Sequence, residues 1–211
     1  MNKWFIVALA AAIAAAAVVI TISMGSIGFT DLLNKGIHEK SAGDLKAAKK
    51  AINEAIEMKP DSAEAHYFLG SIYLAEKDGD KAKKELDKAI ELDDSEAKYY
   101  VELSFVYFNL MAEEEKAIKA MEKAIELDPD DYQYRVTLGV YLEKGDKKEK
   151  AIKQFEKAIE LEPSMQGIQE RLIILYKETG DLDKAKELAG EPESTSTKAG
   201  SSFIESEGNA Y

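Results

Sequence analysis

Ala-Ile-Glu-Leu, with methionine replacing leucine once, occurs four times: Ala55-Ile56-Glu57-Met58, Ala89-Ile90-Glu91-Leu92, Ala124-Ile125-Glu126-Leu127 and Ala158-Ile159-Glu160-Leu161. Successive copies begin 34, 35 and 34 residues apart. A constant period in this range is typical of repeat architectures, in which each unit buries its apolar face against its neighbours. The four copies therefore predict a stack of similar units, each ending its second helix on this tetrapeptide.

Five units fit the period, and each is predicted to contain two helices. They cover residues 29–62, 63–96, 97–131 and 132–165, followed by a shortened fifth unit at 166–189. The third unit carries one extra residue, so its internal turn is predicted to be built differently from the others.

Glycine, aspartate and proline are expected to mark the helix ends. Glycine permits the backbone of a turn, and aspartate can cap the helix after it. Four units have such a pair between their helices: Gly43-Asp44, Gly79-Asp80, Gly145-Asp146 and Gly180-Asp181. Proline cannot continue a helix and comes after the second helix at Pro60, Pro129 and Pro163.

Small residues recur at positions where neighbouring helices are expected to touch. One position of the first helices holds Gly36, Gly70, Ser104 and Gly139. One position of the second helices holds Ala48, Ala82, Ala117, Ala151 and Ala185. Protein interiors are close-packed, so a larger side chain would not fit where two helix axes come near.

The order Leu-Gly-x-x-Tyr, then Ala, then Leu or Phe, then Ala resembles the tetratricopeptide repeat. The second unit shows it as Leu69, Gly70, Tyr73, Ala82, Leu86 and Ala89, and the fourth as Leu138, Gly139, Ala151, Phe155, Ala158 and Pro163. The resemblance covers residues 29–189 and implies an all-α fold. It implies a right-handed superhelix (an α-solenoid) of about four and a half helix-turn-helix repeats. It also implies a concave groove that binds peptides or helices, in a family not known for catalysis.

In that family, certain positions of the first helices face the groove. Carried over to this sequence, they imply a partner-binding groove lined by Leu33, Ile37, Tyr67, Phe68, Ser71, Val101, Phe105, Phe108, Asn109, Val136, Val140, Lys144 and Arg171. Positions of the same kind hold Asn34, Ser41, Glu102, Thr137 and Glu170.

The residues at these positions indicate what kind of partner to expect. Family members that grip a C-terminal carboxylate need Lys and Asn where this chain has Leu33 and Ile37, so that role is not expected here. An apolar and aromatic lining suits an amphipathic helix or an extended apolar segment. The alternative is that some of these side chains, Tyr67 and Phe108 in particular, belong to the core between repeats.

The N-terminal residues 1–28 are predicted to be a transmembrane segment. Residues 4–24 form a 21-residue apolar run after Lys3, which as a helix would span about 31 Å at ~1.5 Å per residue. That length matches a bilayer core of ~30 Å, and the positive charge before the run places the N-terminus in the cytoplasm. The repeat domain would then lie on the periplasmic or extracellular side. The alternative is a signal peptide cleaved near Ser23-Met24-Gly25, which would release a secreted protein.

The remaining composition narrows the function further. The net charge of −12 argues against nucleic acid as a partner, because phosphate binding requires clustered Lys and Arg. The absence of cysteine excludes disulfides, thiolate metal sites and a cysteine nucleophile. The only histidines are His38 and His66, and His66 is expected to have a structural role. The sequence therefore predicts no enzyme activity, no cofactor and no metal site.

Two functions remain open at this point. The first is a membrane-anchored adaptor that binds a protein partner in its groove and assists assembly of an envelope or membrane complex. The second is a structural subunit that self-associates head to tail, because the short fifth unit would expose Leu172, Ile173, Leu175 and Leu188. Residues 190–211, rich in Ser, Thr, Glu and Gly, are predicted to be a disordered tail.

Overall fold

The computed structural model describes residues 28–190. This part of the chain contains ten α-helices and one short π-helical segment, at Val106–Leu110. The α-helices are α1 Phe29–Ser41, α2 Leu45–Met58, α3 Ala63–Ala75, α4 Gly79–Leu92, α5 Ala97–Phe105, α6 Glu114–Leu127, α7 Tyr132–Lys144, α8 Lys148–Leu161, α9 Gln166–Thr179 and α10 Leu182–Ala189. The segments predicted at 1–28 and 190–211 lie outside the described residues, except for Gly28 and Gly190 at their edges.

Consecutive helices pack on one another along the described chain, so α1 with α2, α3 with α4, and the subsequent pairs form five stacked helix pairs. The first helices begin at residues 29, 63, 97, 132 and 166, as the period predicts. The all-α architecture of stacked helix pairs is thereby confirmed, while the right-handed superhelical twist stays a prediction. Between residues 28 and 190, no helix combines the length and the apolar character needed to cross a membrane.

The second helices form because their apolar residues recur with the helical period. In α2, the residues Ala48, Ala51, Ile52 and Ala55 are spaced three or four apart or adjacent on one face, and all are buried. Charged residues occupy the other side. Buried apolar residues form three clusters in order along the stack, rather than one central core. Each repeat is therefore stabilised by the packing of its own two helices and by the repeats on either side.

The glycines of the first helices allow close approach to a large side chain of the second helix. A Cβ added to Gly70 would lie 2.8 Å from Leu86 Cγ, and one added to Gly139 would lie 2.5 Å from Phe155 Cε1. In the fifth repeat, the same two positions hold Ile173 and Ala189, so the large and small residues are exchanged. Ala189 is exposed and Ile173 is half-buried, so this exchange lies at the edge of the stack.

The prediction that the glycine of each Gly-Asp pair forms the turn between the two helices is wrong for two of the four pairs. One residue per turn is left-handed, and these residues are Gly43, Lys77, Ala112, Asp146 and Gly180. Gly79 instead begins α4, and Gly145 has a φ of −80°. The left-handed residue is set by where the first helix ends, so it falls on a glycine in only two of the five turns.

The prediction that these aspartates cap the second helices is correct for some of them and wrong for others. Asp44 caps α2 as predicted, with its carboxylate accepting from the Ala47 amide at 2.9 Å. The cap of α4 is Asp78 rather than Asp80, and it accepts from the Lys81 amide at 3.2 Å. Asp181 is at the start of α10 but makes no side-chain capping bond.

The extra residue of the third repeat is absorbed by the π-helical segment. The Met111 amide donates to the Val106 carbonyl at 3.2 Å, five residues back. The Glu113 amide then donates to the Tyr107 carbonyl at 2.9 Å, six residues back, whereas the equivalent bond in the second repeat, Asp78 to Tyr73, spans five. π-Helical geometry occurs mostly as single-turn bulges of this kind inside α-helices. Helix α6 therefore keeps the register of the other second helices.

Replacing Ala112 by glycine is expected to raise the free energy of unfolding by about 0.5–1 kcal/mol, because a left-handed conformation costs a residue with a Cβ roughly 1–2 kcal/mol. Chemical denaturation followed by circular dichroism measures this change. The control is Ala75→Gly at the end of α3, where φ is not positive and the change should destabilise. A loss of stability in Ala112→Gly would contradict the prediction.

The two ends of the described stack differ in polarity. The outer residues of α1 are polar and largely accessible: Asp31, Asn34, Lys35 and His38. The residues 34 positions later in α3 pack inside the stack: Ala65, Phe68, Leu69 and Ile72. A polar outer face is typical of a capping repeat and does not suit head-to-tail stacking on another copy.

The predicted exposure at the other end of the stack is wrong for two residues. Leu172 and Leu175 are buried, because α9 packs on both α8 and α10, while Ile173 and Leu188 are half-buried. Helix α10 has eight residues, against 14 in each of the other second helices. An open cavity of about 690 Å³ lies beside it, lined by residues that include Ile159, Pro163 and Leu188.

Candidate partner-binding surface

Side-chain contacts join the first helices of neighbouring repeats, for example Ser71 with Glu102 and Phe108 with Tyr141. Ile37, Ser71, Phe105, Val140 and Ile174 share one position of the first helices, at intervals of 34 or 35 residues. We call the surface built by these and adjacent positions of α1, α3, α5, the π-helical segment, α7 and α9 the first-helix surface. It corresponds to the groove implied by the sequence.

Most residues predicted to line the groove are partly accessible. Half-buried side chains are Ile37, Tyr67, Phe68, Val101, Phe105, Phe108, Val136, Val140 and Arg171, and exposed ones are Asn109 and Lys144. Two residues differ. Leu33 is 4% exposed and packs in the core of the first two repeats with Leu32 and Ile52. Its side chain is therefore not available to a partner. Ser71 is 2% exposed and contributes through its hydroxyl contacts.

The middle of the first-helix surface is aromatic. Phe108 stacks on Tyr141 of the next repeat, with ring centroids 4.0 Å apart and 12° between the planes. Phe105 meets the same ring edge-on at 6.4 Å, and the Lys144 ammonium lies 5.3 Å from the Phe108 centroid. Phe105 and Phe108 are held by contacts between repeats while remaining half-buried. They therefore serve the inter-repeat packing and the surface at the same time.

A second aromatic group lies between the second and third repeats. Tyr67 packs against Phe68 and against Tyr99 of the next repeat, each with a centroid distance of 5.1 Å. Burial raises the pKa of Tyr67 to about 12, and the negative charge of Glu102 adds to the rise. The Tyr67 hydroxyl is thus neutral at physiological pH and lies within the field of the Glu102 carboxylate.

A polar chain links three first helices next to this group. The Lys40 ammonium donates to the Ser71 hydroxyl, which in turn donates to Glu102 Oε1 at 3.0 Å. The other oxygen, Glu102 Oε2, is buried and has no hydrogen-bond partner among residues 28–190. Sequence reasoning placed Ser71 and Glu102 at groove positions but did not foresee this contact, which joins residues 31 apart in neighbouring helices.

At the fifth repeat, the first-helix surface ends in an ion pair and one exposed apolar residue. Arg171 Nε donates to Glu143 Oε2 at 2.5 Å, so the positive charge of Arg171 is already paired within the protein. Ile174 is 56% exposed and was missed by the sequence prediction. The repeat period could have found it, because it comes 34 residues after Val140.

The described residues offer no group of three or more side chains arranged to hold a metal ion. His66 is engaged inside its own repeat, with Nδ1 2.8 Å from Glu85 Oε2 and Nε2 3.0 Å from the Pro60 carbonyl. Both contacts tie α3 to neighbouring elements, so His66 has the structural role that was predicted for it.

Comparisons with known proteins agree with this architecture. Three sequence models of the tetratricopeptide repeat match the chain, at residues 40–103, 97–131 and 115–168. Together they span residues 40–168, more than half of the 211-residue chain. A comparison with curated proteins found no match.

Solved structures show the same fold. A crystal structure of the MamA protein is 25% identical, with a TM-score of 0.67, over 77% of this chain and 88% of that one. A MamA 41-end structure from Desulfovibrio magneticus RS-1 is 28% identical, with a TM-score of 0.60, over 66% of this chain and 78% of that one. YrrB, described as a TPR protein with an unusual peptide-binding site, is 20% identical, with a TM-score of 0.65, over 82% and 88% of the two chains.

The fold and the first-helix surface define a helix-pair repeat protein that presents a surface for another protein. This chain belongs to the tetratricopeptide repeat family. It is a protein–protein interaction scaffold of that family.

Proposed function

We propose that this protein is a membrane-anchored scaffold that holds a partner helix or extended peptide on its first-helix surface. The observation that carries the proposal is the aromatic group Phe105, Phe108 and Tyr141. Contacts between repeats hold these rings in fixed positions, so little conformational entropy is lost when a partner covers them. Phe105 and Phe108 are half-buried above the buried Tyr141, and accessible aromatic side chains of this kind are enriched at the centre of protein interfaces.

The partner class is indicated by the shape and chemistry of the surface. An amphipathic helix or an extended apolar segment could lay its apolar residues along Val101, Phe105, Val136 and Val140, which are all half-buried. Polar groups at the ends of the surface, such as the Arg171–Glu143 pair, would then lie at the rim.

The membrane part of the proposal is supported by the sequence alone. Residues 4–24 are long and apolar enough to span a bilayer, and Lys3 favours a cytoplasmic N-terminus. The scaffold would then act on the periplasmic or extracellular side, assisting the assembly of an envelope or membrane complex. Intact mass spectrometry of the native protein from membrane and soluble fractions tests this. A full-length mass in the membrane fraction supports the anchor, and a mass short of the first ~25 residues in the soluble fraction supports a cleaved signal peptide.

Phe105→Glu is expected to weaken partner binding at least tenfold, because it places a charge in the apolar centre of the surface. The full-length protein, extracted in detergent, is used as bait in quantitative pull-downs from membrane extracts. The partners captured by the wild type should be lost from this variant.

The matched control is Leu182→Glu, which makes the same change at an apolar residue that is 54% exposed and lies outside the first-helix surface. This control should capture the same partners as the wild type. Thermal unfolding of each variant confirms that it is folded. Equal capture by the wild type and by folded Phe105→Glu would contradict the proposed binding surface.

A further inference from the structure

We infer that the partner presents a lysine or arginine side chain to Glu102, next to the aromatic group of Tyr67, Phe68 and Tyr99. This inference rests on the proposed function, because it names the chemistry of the partner at the same first-helix surface. It starts from the buried oxygen of Glu102 that receives no hydrogen bond from the described part of the chain.

The carboxylate of Glu102 is fixed in orientation by one of its oxygens only. Oε1 accepts a hydrogen bond from the Ser71 hydroxyl at 3.0 Å, and that hydroxyl is itself held by the Lys40 ammonium. The three residues come from the first helices of three successive repeats, so the stacking of the repeats sets the geometry. Oε2 is left buried, without a donor from any residue between 28 and 190.

An unpaired carboxylate oxygen removed from water is costly. The half-buried Glu102 side chain must turn outward for a donor of the partner to reach Oε2, and the new hydrogen bond then recovers that cost. Hydrogen bonds between a cation and a carboxylate are stronger than those between neutral groups. A lysine or arginine side chain would therefore recover more of this free energy than a neutral donor would.

Two described lysines lie near this group without bonding to Oε2. Lys40 donates to Ser71, and Lys98 is paired with Glu96 at 3.1 Å, with its ammonium 5.7 Å from the Tyr67 ring centroid and 5.4 Å from that of Tyr99. The partner's basic side chain would take the place of Lys98 over these rings.

The surroundings suit the apolar stem of a basic side chain. Tyr67 is close enough to Glu102 for the carboxylate charge to raise its pKa, and its ring packs with Phe68 and Tyr99. The methylene groups of lysine or arginine can lie along aromatic rings while the charged end reaches an acid beyond them. The net charge of −12 favours the approach of a basic partner at long range as well.

Selection from a phage-displayed library of random 12-residue peptides tests the inference on the full chain in detergent. The wild type is expected to select peptides that share one lysine or arginine position. Glu102→Gln should weaken the best synthetic peptide about ten- to a hundredfold, since a hydrogen bond to a charged group is lost. Replacing the basic residue of the peptide by norleucine should have an effect of similar size, and the two changes together should cost little more than either alone.

Two further variants sharpen the test. Glu102→Lys is expected to select peptides with an acidic residue at the same position, because the sign of the charge is reversed. Glu57→Gln removes the same charge from an exposed carboxylate of α2, outside the first-helix surface, and it should leave the basic position unchanged. Isothermal titration with each purified variant provides the affinities.

The outcomes separate the two proposals. Peptides that depend on Phe105 but share no basic position, or whose basic residue is unaffected by Glu102→Gln, overturn the role of Glu102 and leave the binding surface intact. A library that yields no peptide dependent on Phe105 contradicts the proposed function and the role of Glu102 together.

Discussion

Phe155→Ala is expected to lower the free energy of unfolding by about 3–5 kcal/mol, the largest effect expected of a single substitution in this protein. The ring is fully buried in the cluster that joins the last three repeats. Its neighbour on α7 is Gly139, which has no side chain to move into the space that the ring would leave. The cavity would therefore persist, and the cost of a buried truncation increases with the volume of the cavity that remains.

Chemical denaturation followed by far-ultraviolet circular dichroism measures this loss. The informative second variant combines Phe155→Ala with Gly139→Ile, which copies the exchanged pair Ile173 and Ala189 of the fifth repeat. It is expected to recover about 1–2 kcal/mol, because the new side chain fills part of the cavity. A loss below about 1 kcal/mol for Phe155→Ala alone would mean that the ring contributes little to packing between repeats.

His66→Ala is expected to cost about 2–3 kcal/mol of unfolding free energy, because it removes a ring that lies within hydrogen-bond distance of two acceptors. These are the Glu85 carboxylate, 2.8 Å from Nδ1, and the Pro60 carbonyl, 3.0 Å from Nε2. The first contact joins α3 to α4, and the second joins α3 to the turn that precedes it. The loss should therefore appear as a lower denaturation midpoint of the repeat domain.

The other histidine of the chain is a natural control. His38 is exposed on the outer side of α1, so His38→Ala should change the unfolding free energy by no more than about 0.5 kcal/mol. Equal effects of the two substitutions would show that the contacts of His66 do not stabilise the fold.

The period of the sequence made the fold largely predictable. The helix starts recur with it, and so does the close approach seen at Gly70 and Gly139, so one correct assignment fixes the others. The residues that take the left-handed conformation were not predictable in the same way. Lys77 and Ala112 take it because of where the preceding helix ends, and their side chains give no sign of it.

The candidate site was only partly predictable, because its details depend on how neighbouring repeats pack. Position within the repeat placed Phe105 and Phe108 on the surface, yet the same logic misplaced Leu33, which is buried at the first helix pair. The bond between Ser71 and Glu102 depends on the rotamers of two side chains 31 residues apart. A strictly applied period would have found Ile174, but no period indicates which oxygen of Glu102 accepts the Ser71 hydroxyl and which does not.

The short helix α10 gives the protein an uneven distribution of local stability. Full repeats inside the stack are held on both sides, whereas the last helix is eight residues long and buries only Ala185 completely. In a linear array, opening begins where the fewest contacts must break. Fraying of α10 would expose the side of α9 that it covers while the aromatic centre at Phe105 and Phe108 stays assembled. The proposed centre of partner binding and the helix expected to unfold first are thus in different parts of the molecule.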